Sequence, residues 1–387
     1  MSPTFKSYFH VWFALCALVS SSLCYSKETI DMQPTWSFKT QASIWSSIKI
    51  DNNIAYFGSD DGNFYAVDLL NKQPLWHYKT NGKIRSTAAI GLETLYFSSE
   101  DGYLYALQKS SGTLVWKTSL NDGDVPRIEP AKEAPYRYDY AKSSPIIFDN
   151  TIYIGSGDQH LYSVDQNTGL VNWKFETRGI IRSTPAVNSS SVFFGSFDNT
   201  VYAVDRLSGQ EQWKFPTYNV VPSSPVIIGD ILVIGSRDTY LYGLNLSNGD
   251  EVWNYRFIDR SWVESTATPA KEEKAFFIGS SDSKKLLKFN AETGKEIWSS
   301  ATPGWTWARP YLHGDEVYIG TTGARGYWNN VEPGFMGVSS DKGLLIRQYQ
   351  PNLISGYVSG GVFGSPAVYN NHIYVPDLDG SLYEFAL

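Results

Sequence analysis

The sequence predicts an all-β fold, an eight-bladed propeller in which each blade is a four-stranded antiparallel sheet. Three recurring features predict it: a tryptophan, a phrase of alternating apolar residues before that tryptophan, and a Ser-rich phrase that opens each unit. These features recur with a period of about 40 residues, which is the length of one four-stranded blade.

The tryptophans mark the period most clearly. Trp36 and Trp76 are 40 residues apart, and so are Trp173 and Trp213. A large indole side chain that recurs once per blade is suited to packing between neighbouring sheets. We therefore expect seven tryptophans to dock each blade against the next: Trp36, Trp76, Trp116, Trp173, Trp213, Trp253 and Trp298.

The alternating phrase is clearest between Phe193 and Trp213. Apolar residues alternate with others, a turn follows, the alternation resumes, and a second turn precedes the tryptophan. A period of two that is broken by Asp and Gly turns indicates short antiparallel strands. An aspartate recurs once per blade at the first turn. We interpret it as a turn residue, because a calcium site needs several oxygen ligands at one point.

The Ser-rich phrases precede short apolar runs and so supply a fourth strand to each blade. They predict eight blades, which begin near Ser46, Ser86, Ser143, Ser183, Ser223, Ser265, Ala308 and Ser365. Residues 363–387 contain only three strands, whereas residues 36–40 match the outer strand at 76–80. We expect this N-terminal outer strand to pair with the C-terminal blade, which closes the ring and leaves no open sheet edge.

Residues 1–26 have the pattern of a signal peptide, and residues 27–387 then form a single propeller domain. Lys6 precedes a short apolar run at 11–19 and small residues at 22–26, and this run is too short to span a bilayer. Both cysteines, Cys16 and Cys24, lie in this segment, which excludes disulfides and cysteine-bound metal from the propeller. We expect a monomeric, periplasmic or secreted protein without a transmembrane segment.

Composition and motifs exclude several classes of function. The net charge of -7 provides no basic field for binding nucleic acid. The histidines are scattered, and no nucleophile elbow or phosphate-binding loop is present.

One face of the propeller should carry the functional residues. Because strands alternate in direction, the start of each inner strand lies on the same face as the turn between the second and third strands. The residues before the Ser-rich phrases should surround the mouth of a central channel: Trp45, Arg85, Lys142, Arg182, Pro222, Glu264, Trp307 and Phe363. Three cations form one arc and aromatic residues form the other, with Trp305 and Arg309 nearby. The cations can bind an anion or an acidic loop, or they are solvated or paired with Glu264.

Two insertions interrupt the repeat on this face. One is Asn121 to Tyr140, and the other, Thr321 to Met336, replaces the usual turn of the seventh blade. Long loops on a rigid scaffold are frequent sites of function. Tyr327 and Trp328 in the second insertion would suit an interface anchor, or they pack against the neighbouring blade.

The repeat resembles the pyrroloquinoline-quinone-like (PQQ-like) propeller repeat. The resemblance rests on Gly-Ser-x-Asp-x-x-Leu-Tyr-Ala-x-Asp-x-x-x-Gly-x-x-x-Trp, as seen at 155–173, 195–213 and 235–253. It implies one of two groups: quinoprotein dehydrogenases, which bind PQQ with calcium, or non-enzymatic BamB-like propellers of the outer-membrane assembly machinery. The dehydrogenases are longer and many carry a vicinal cysteine pair beside the quinone, two features that this sequence lacks.

We therefore expect a non-catalytic interaction or assembly scaffold of the cell envelope that binds another envelope protein, without metal or cofactor. The alternative is a PQQ-dependent oxidoreductase in which Arg85, Lys142 and Arg182 hold the quinone carboxylates and Trp45 or Trp307 stacks on the ring. Glu264 is the one carboxylate among the mouth positions, and a calcium cage needs more, which counts against the enzyme. A third possibility is binding of a sugar or a small anion at the mouth.

Overall fold

The computed structural model of the chain describes residues 29–121, 142–271, 274–324 and 330–387. The predicted signal peptide lies outside these ranges. All regular secondary structure in them is β-strand, and the strands form eight sheets arranged as the blades of a propeller. The predicted fold class is confirmed.

The strands follow the predicted repeat. Two short strands come first, β1 (Ile30–Asp31) and β2 (Trp36–Lys39). Blades 1 to 3 contain β3 (Lys49–Asp51), β4 (Ile54–Gly58), β5 (Asn63–Asp68), β6 (Gln73–Lys79), β7 (Ala89–Ile90), β8 (Thr94–Ser98), β9 (Tyr103–Gln108), β10 (Leu114–Ser119), β11 (Ile146–Phe148), β12 (Thr151–Gly155), β13 (His160–Asp165) and β14 (Val171–Glu176). Blades 4 and 5 contain β15 (Ala186–Val187), β16 (Ser191–Ser196), β17 (Thr200–Asp205), β18 (Glu211–Pro216), β19 (Val226–Ile228), β20 (Ile231–Gly235), β21 (Tyr240–Asn245) and β22 (Glu251–Arg256).

The remaining blades are built in the same way. Blades 6 to 8 contain β23 (Thr268–Pro269), β24 (Ala275–Ser280), β25 (Lys285–Asn290), β26 (Glu296–Ala301), β27 (Tyr311–His313), β28 (Glu316–Thr321), β29 (Gly334–Ser339), β30 (Leu345–Tyr349), β31 (Ala367–Tyr369), β32 (His372–Pro376) and β33 (Ser381–Ala386). Strands within blades 1 to 6 pair in sequence order and antiparallel, from the inner strand to the outer strand.

The two ends of the chain close the ring as predicted. Strand β2 pairs antiparallel with β33, with Trp36 opposite Glu384, and becomes the outer strand of blade 8. Strand β1 was not predicted. It pairs in parallel with β30 and gives blade 7 a fifth strand. A two-residue strand is too short to show alternation, and the buried Met32 beside it packs into the core between blades 7 and 8.

The core lies between the blades, where the repeated tryptophans also lie. The indole N–H of Trp173 donates to the carbonyl oxygen of Arg206 in the next blade at 3.1 Å. The ring covers Gly209, whose φ of 72° favours glycine. A Cβ at this position would lie 2.7 Å from the indole, so no larger residue fits. The same hydrogen bond is made by Trp76, Trp116, Trp213, Trp253 and Trp298. Trp36 differs, because the Lys72 ammonium lies 5.0 Å from its ring centre.

Candidate functional site

The inner strands of the eight blades surround a central channel of about 1220 Å³. The structure brings all eight mouth positions to the wall of this channel: Trp45, Arg85, Lys142, Arg182, Pro222, Glu264, Trp307 and Phe363. Their order around the ring places the three cations in blades 2 to 4 and the aromatic residues in blades 7, 8 and 1.

The Ser-rich phrases hold the channel wall together. The first serine binds its own blade: Ser183 Oγ donates to the carbonyl of Gly195 at 2.8 Å and accepts from its N–H at 2.9 Å. The second hydroxyl accepts from the backbone N–H of the preceding blade, as Thr184 does from Ser144 at 3.0 Å. Similar bonds join blades 8 and 1, 1 and 2, 2 and 3, and 4 and 5. The phrase therefore fixes the positions of the mouth residues that precede it.

The cationic arc already contains carboxylates. Arg85 donates to both oxygens of Asp60, from Nε at 2.8 Å and from Nη2 at 2.7 Å. Arg85 Nε and Lys142 Nζ each lie 3.8 Å from Glu100 Oε1, and both cationic side chains are 7% exposed. A cavity of about 10 Å³ lies among these residues, which is the size of one water molecule. An anion that binds Arg85 or Lys142 would therefore compete with Asp60 or Glu100.

These carboxylates occupy one position of the repeat, the third residue of the Gly-Ser-x-Asp turn in the preceding blade. In blade 5 this position holds Arg237, and the charges are reversed: Arg237 Nε donates to Glu264 Oε1 at 2.8 Å. The Arg237 guanidinium also lies 4.7 Å from the ring centre of Trp262. Gly157 stands at the same position before Arg182, which is 4% exposed. The sequence analysis missed this complementary position, although aligning the turns would have shown it.

The aromatic arc is a packed cluster and not an open surface. Trp45, Trp305 and Trp307 are 6%, 5% and 7% exposed. Trp305 stacks on Trp307 with ring centres 4.9 Å apart, and Trp45 packs edge-on against Phe363 at 5.1 Å. The Trp307 indole N–H donates to Ser281 Oγ at 2.9 Å. A turn residue of the preceding blade therefore again forms a hydrogen bond with a mouth residue.

Arg309 lies below the mouth, on the channel wall, together with a cation that the sequence analysis missed. Its Nε donates to Thr268 Oγ1 at 3.3 Å. Although water in the channel reaches the side chain, the surrounding protein lowers the pKa of Arg309 by desolvation. Lys49 also lines the channel, and its pKa is lowered by desolvation and then by the positive charge of Arg309. The two cations are therefore close enough to repel each other.

Tyr327 and Trp328 lie outside the described residues, as do residues 122–140 of the first insertion. On the described part of the same face the most exposed apolar side chains are Tyr218 and Ile258, which are 87% and 95% exposed. They occupy equivalent positions in the loops that join blades 4 and 5 and blades 5 and 6. The other blades carry Gln, Asn, Arg or Pro at this position, a contrast that is visible in the sequence.

The recurring aspartates are occupied by contacts within the scaffold. Asp238 Oδ1 accepts from the Tyr240 N–H at 2.9 Å, and Oδ2 accepts from the Tyr242 hydroxyl at 2.8 Å and the Tyr218 N–H at 3.0 Å. In the described part of the chain, no three histidine, aspartate or glutamate side chains are grouped so that they could hold a metal ion. Among those residues, none form a helix with the length and apolar character needed to cross a membrane.

Solved structures with this fold include both groups named above. BamB from Moraxella catarrhalis is 16% identical and matches with a TM-score of 0.67 over 92% of this chain and 100% of that chain. A europium-containing methanol dehydrogenase is 13% identical, with a TM-score of 0.71 over 92% of this chain and 93% of that one. A quinohemoprotein alcohol dehydrogenase from Comamonas testosteroni is 12% identical, with a TM-score of 0.69 over 92% of this chain and 76% of that chain.

At these identities the similarity shows the fold alone. No curated protein matches the sequence.

One family model does match, and it extends over most of the chain. Its description is "Outer membrane protein assembly factor BamB", and it matches residues 24–128, 139–261 and 256–345. These ranges contain the turns, tryptophans and Ser-rich phrases of blades 1 to 6 and the first three strands of blade 7, β27 to β29. The chain therefore belongs to the family described as outer membrane protein assembly factor BamB.

Proposed function

We propose that this protein is an exported, non-catalytic scaffold of the cell envelope that binds a partner protein of outer-membrane protein assembly. Family membership supports this role. The observation that carries the proposal is the pair of exposed apolar side chains, Tyr218 and Ile258, on the face that also carries the channel mouth.

The two side chains are presented by rigid backbone. The Tyr218 N–H donates to Asp238 Oδ2 at 3.0 Å, and the Phe257 N–H donates to the Thr239 carbonyl at 3.0 Å. Both loops are thus held on the same turn of blade 5, which places their tips side by side. An aromatic residue beside an aliphatic one on a rigid surface is typical of the central contacts of protein interfaces.

The preceding loop adds a charge to this surface. Arg178 occupies the position equivalent to Tyr218 one blade earlier, and its side chain is exposed. Its N–H donates to Asp198 Oδ2 at 3.0 Å, so its backbone is held in the same way. Tyrosine and arginine are enriched among residues that dominate binding energy. The surface therefore suits a partner segment with apolar side chains and a carboxylate.

The mouth residues do not fit the alternative role of holding PQQ. Arg85 and Lys142 are engaged with Asp60 and Glu100, and the cavity enclosed among these side chains has the volume of about one water molecule, although both cations also line the wide channel. Trp45 and Trp307 are packed into the aromatic cluster and are only 6% and 7% exposed, so little of either ring is available for stacking. We therefore derive no catalytic step at this mouth.

Site-specific photocrosslinking in the native host tests the scaffold role. A photoreactive amino acid placed at position 218 or 258 should give crosslinks to a component of outer-membrane protein assembly, identified by mass spectrometry. The matched control is Leu92, which is 86% exposed but lies in the β7–β8 turn on the opposite face. Crosslinks to such a component from position 92 alone, or from none of the three, would contradict the proposal.

Calorimetric titration of residues 27–387 with PQQ and calcium tests the enzymatic alternative. We expect no saturable binding. Saturable binding that is lost when Arg85 and Arg182 are both changed to alanine, in a variant shown by circular dichroism to be folded, would revive the quinoprotein reading.

A further inference from the structure

The channel wall below the mouth is built from two rings of eight equivalent residues. The upper ring holds the second residue of each Ser-rich phrase: Ser47, Thr87, Ser144, Thr184, Ser224, Thr266, Arg309 and Ser365. The lower ring holds the residue two positions further along each inner strand: Lys49, Ala89, Ile146, Ala186, Val226, Thr268, Tyr311 and Ala367. Each ring contains one charged residue, Arg309 above and Lys49 below.

The two cations lie on either side of blade 8. The Ser365 N–H donates to Ser47 Oγ of blade 1 at 2.9 Å, and Ser365 Oγ donates to the Arg309 carbonyl of blade 7 at 2.9 Å. Between them in the lower ring stands Ala367, which extends only a methyl group. In these two rings the wall of blade 8 therefore carries only the small side chains of Ser365 and Ala367, with a cation on each side.

Neither cation has a carboxylate partner among the described residues. The nearest acidic residue along β3, Asp51, is paired with Lys109 of blade 2 at 2.5 Å. Arg309 uses Nε for Thr268, while its Nη1 and Nη2 donate to no acceptor in the described ranges. The mouth cations Arg85 and Lys142 differ in this respect, because each lies beside a carboxylate.

Two like charges in a partly desolvated channel destabilise each other, and a bound anion removes that cost. The lowered pKa values of Lys49 and Arg309 agree with this geometry. The arginine fork suits a carboxylate in particular, since its parallel N–H groups match the two oxygens. The channel, at about 1220 Å³, is at least as large as typical small-molecule sites.

We propose that Lys49 and Arg309 form a binding site on the channel wall for a small dicarboxylate, with Arg309 binding one carboxylate and Lys49 the other. This site is separate from the apolar loop pair that we assign to partner binding, and it does not depend on that function.

Isothermal titration with succinate at low ionic strength and pH 7 tests the site directly. Wild-type protein should bind succinate saturably, added sodium chloride should weaken the binding, and neutral succinamide should not bind. Lys49→Gln and Arg309→Gln should each bind at least about tenfold more weakly, which corresponds to the loss of one charge-assisted contact. Lys49→Arg, which keeps the charge, should retain most of the affinity.

The matched control is Lys214→Gln, which removes the same charge from an outer strand where Lys214 pairs with Glu211. It should bind succinate as the wild type does. Absence of saturable binding to the wild type overturns the proposal whatever the variants do. Binding to folded Lys49→Gln and Arg309→Gln with unchanged affinity also overturns it. Photocrosslinking at positions 218 and 258 is unaffected by either result, so the two proposals fail separately.

Discussion

Two sectors of the channel carry buried charge in different ways. In blades 2, 3 and 6 the mouth charges lie beside opposite charges: Arg85 beside Asp60, Lys142 beside Glu100, and Glu264 beside Arg237. In blades 7, 8 and 1 the mouth is aromatic, and three ionisable residues in or near it form no ion pair among the described residues: Lys49, Arg309 and Asp377. The first sector uses its charges for structure, and the second leaves them available for a ligand or a proton.

The contrast follows from one position of the repeat. The third residue of the Gly-Ser-x-Asp turn is Asp60, Glu100 or Arg237 in the charged sector and Leu378 in blade 8. A carboxylate there meets the mouth cation of the next blade, whereas Leu378 packs against Trp45. Regular repetition of the backbone therefore permits each junction to be polar or apolar without altering the fold.

The largest expected effect on stability comes from breaking an ion pair in the charged sector. Asp60→Ala leaves Arg85, 7% exposed, without its bidentate partner. We expect a loss of about 3–5 kcal/mol in the free energy of unfolding, measured by urea denaturation. The double variant Asp60→Leu with Arg85→Met should recover most of that loss. If Asp60→Ala is as stable as the wild type, the ion pairs of the charged sector do not stabilise the fold, and the comparison between the two sectors loses its basis.

A smaller loss is expected at the reversed pair. Glu264→Gln keeps one oxygen acceptor for Arg237 but removes the negative charge beside a guanidinium that is 2% exposed. We expect the free energy of unfolding to fall by about 2 kcal/mol, within the range for a hydrogen bond to a charged group. The same measurement on Glu211→Gln, whose partner Lys214 is 58% exposed, should show little change.

The aromatic sector should make the free energy of unfolding depend on pH. Asp377 is fully buried, its Oδ2 has no hydrogen-bond partner among the described residues, and burial followed by the charge of Asp379 raises its pKa well above the usual range. The folded protein therefore keeps this proton to a higher pH than the unfolded chain does. The free energy of unfolding therefore falls as the pH rises from the ordinary aspartate range through the raised pKa. Asp377→Asn should remove that part of the pH dependence of urea unfolding, and an unchanged profile would show that Asp377 is ionised in the fold.

The smallest effect concerns the two wall cations. Arg309→Gln removes the positive charge beside Lys49, so the pKa of Lys49 should rise toward its ordinary value while the part due to desolvation remains. A ¹³C-detected titration of the lysine ε-carbon measures this shift. Lys214→Gln should leave the pKa of Lys49 unchanged, and a similar shift in both variants would mean that net charge alone is responsible.

The repeat made the fold predictable because each blade restates the same pattern. Trp173 and Gly209, for example, identify an interblade contact from sequence spacing alone. The mouth positions were also predictable, since strand alternation decides which residues share a face. Their contacts were not. Asp60 and Arg85 are 25 residues apart in different blades, and reading each repeat separately hid the pairing. Lys49 was missed for the same reason, because its position is ordinary within one repeat and unusual only when all eight are compared.

Closure of the ring has a consequence for how the chain is made. Thr35 Oγ1 donates to Glu384 Oε1 at 2.9 Å across 349 residues of sequence, and β2 has no strand to pair with until β33 has been synthesised. Such distant contacts form slowly. During synthesis the unpaired edge of β2 and the edges of the growing array stay accessible to other chains. A protein closed in this way depends on protection from aggregation until its last strand emerges. Deletion of the six residues of β33 should therefore be more damaging to folding than removal of an exposed loop of equal length.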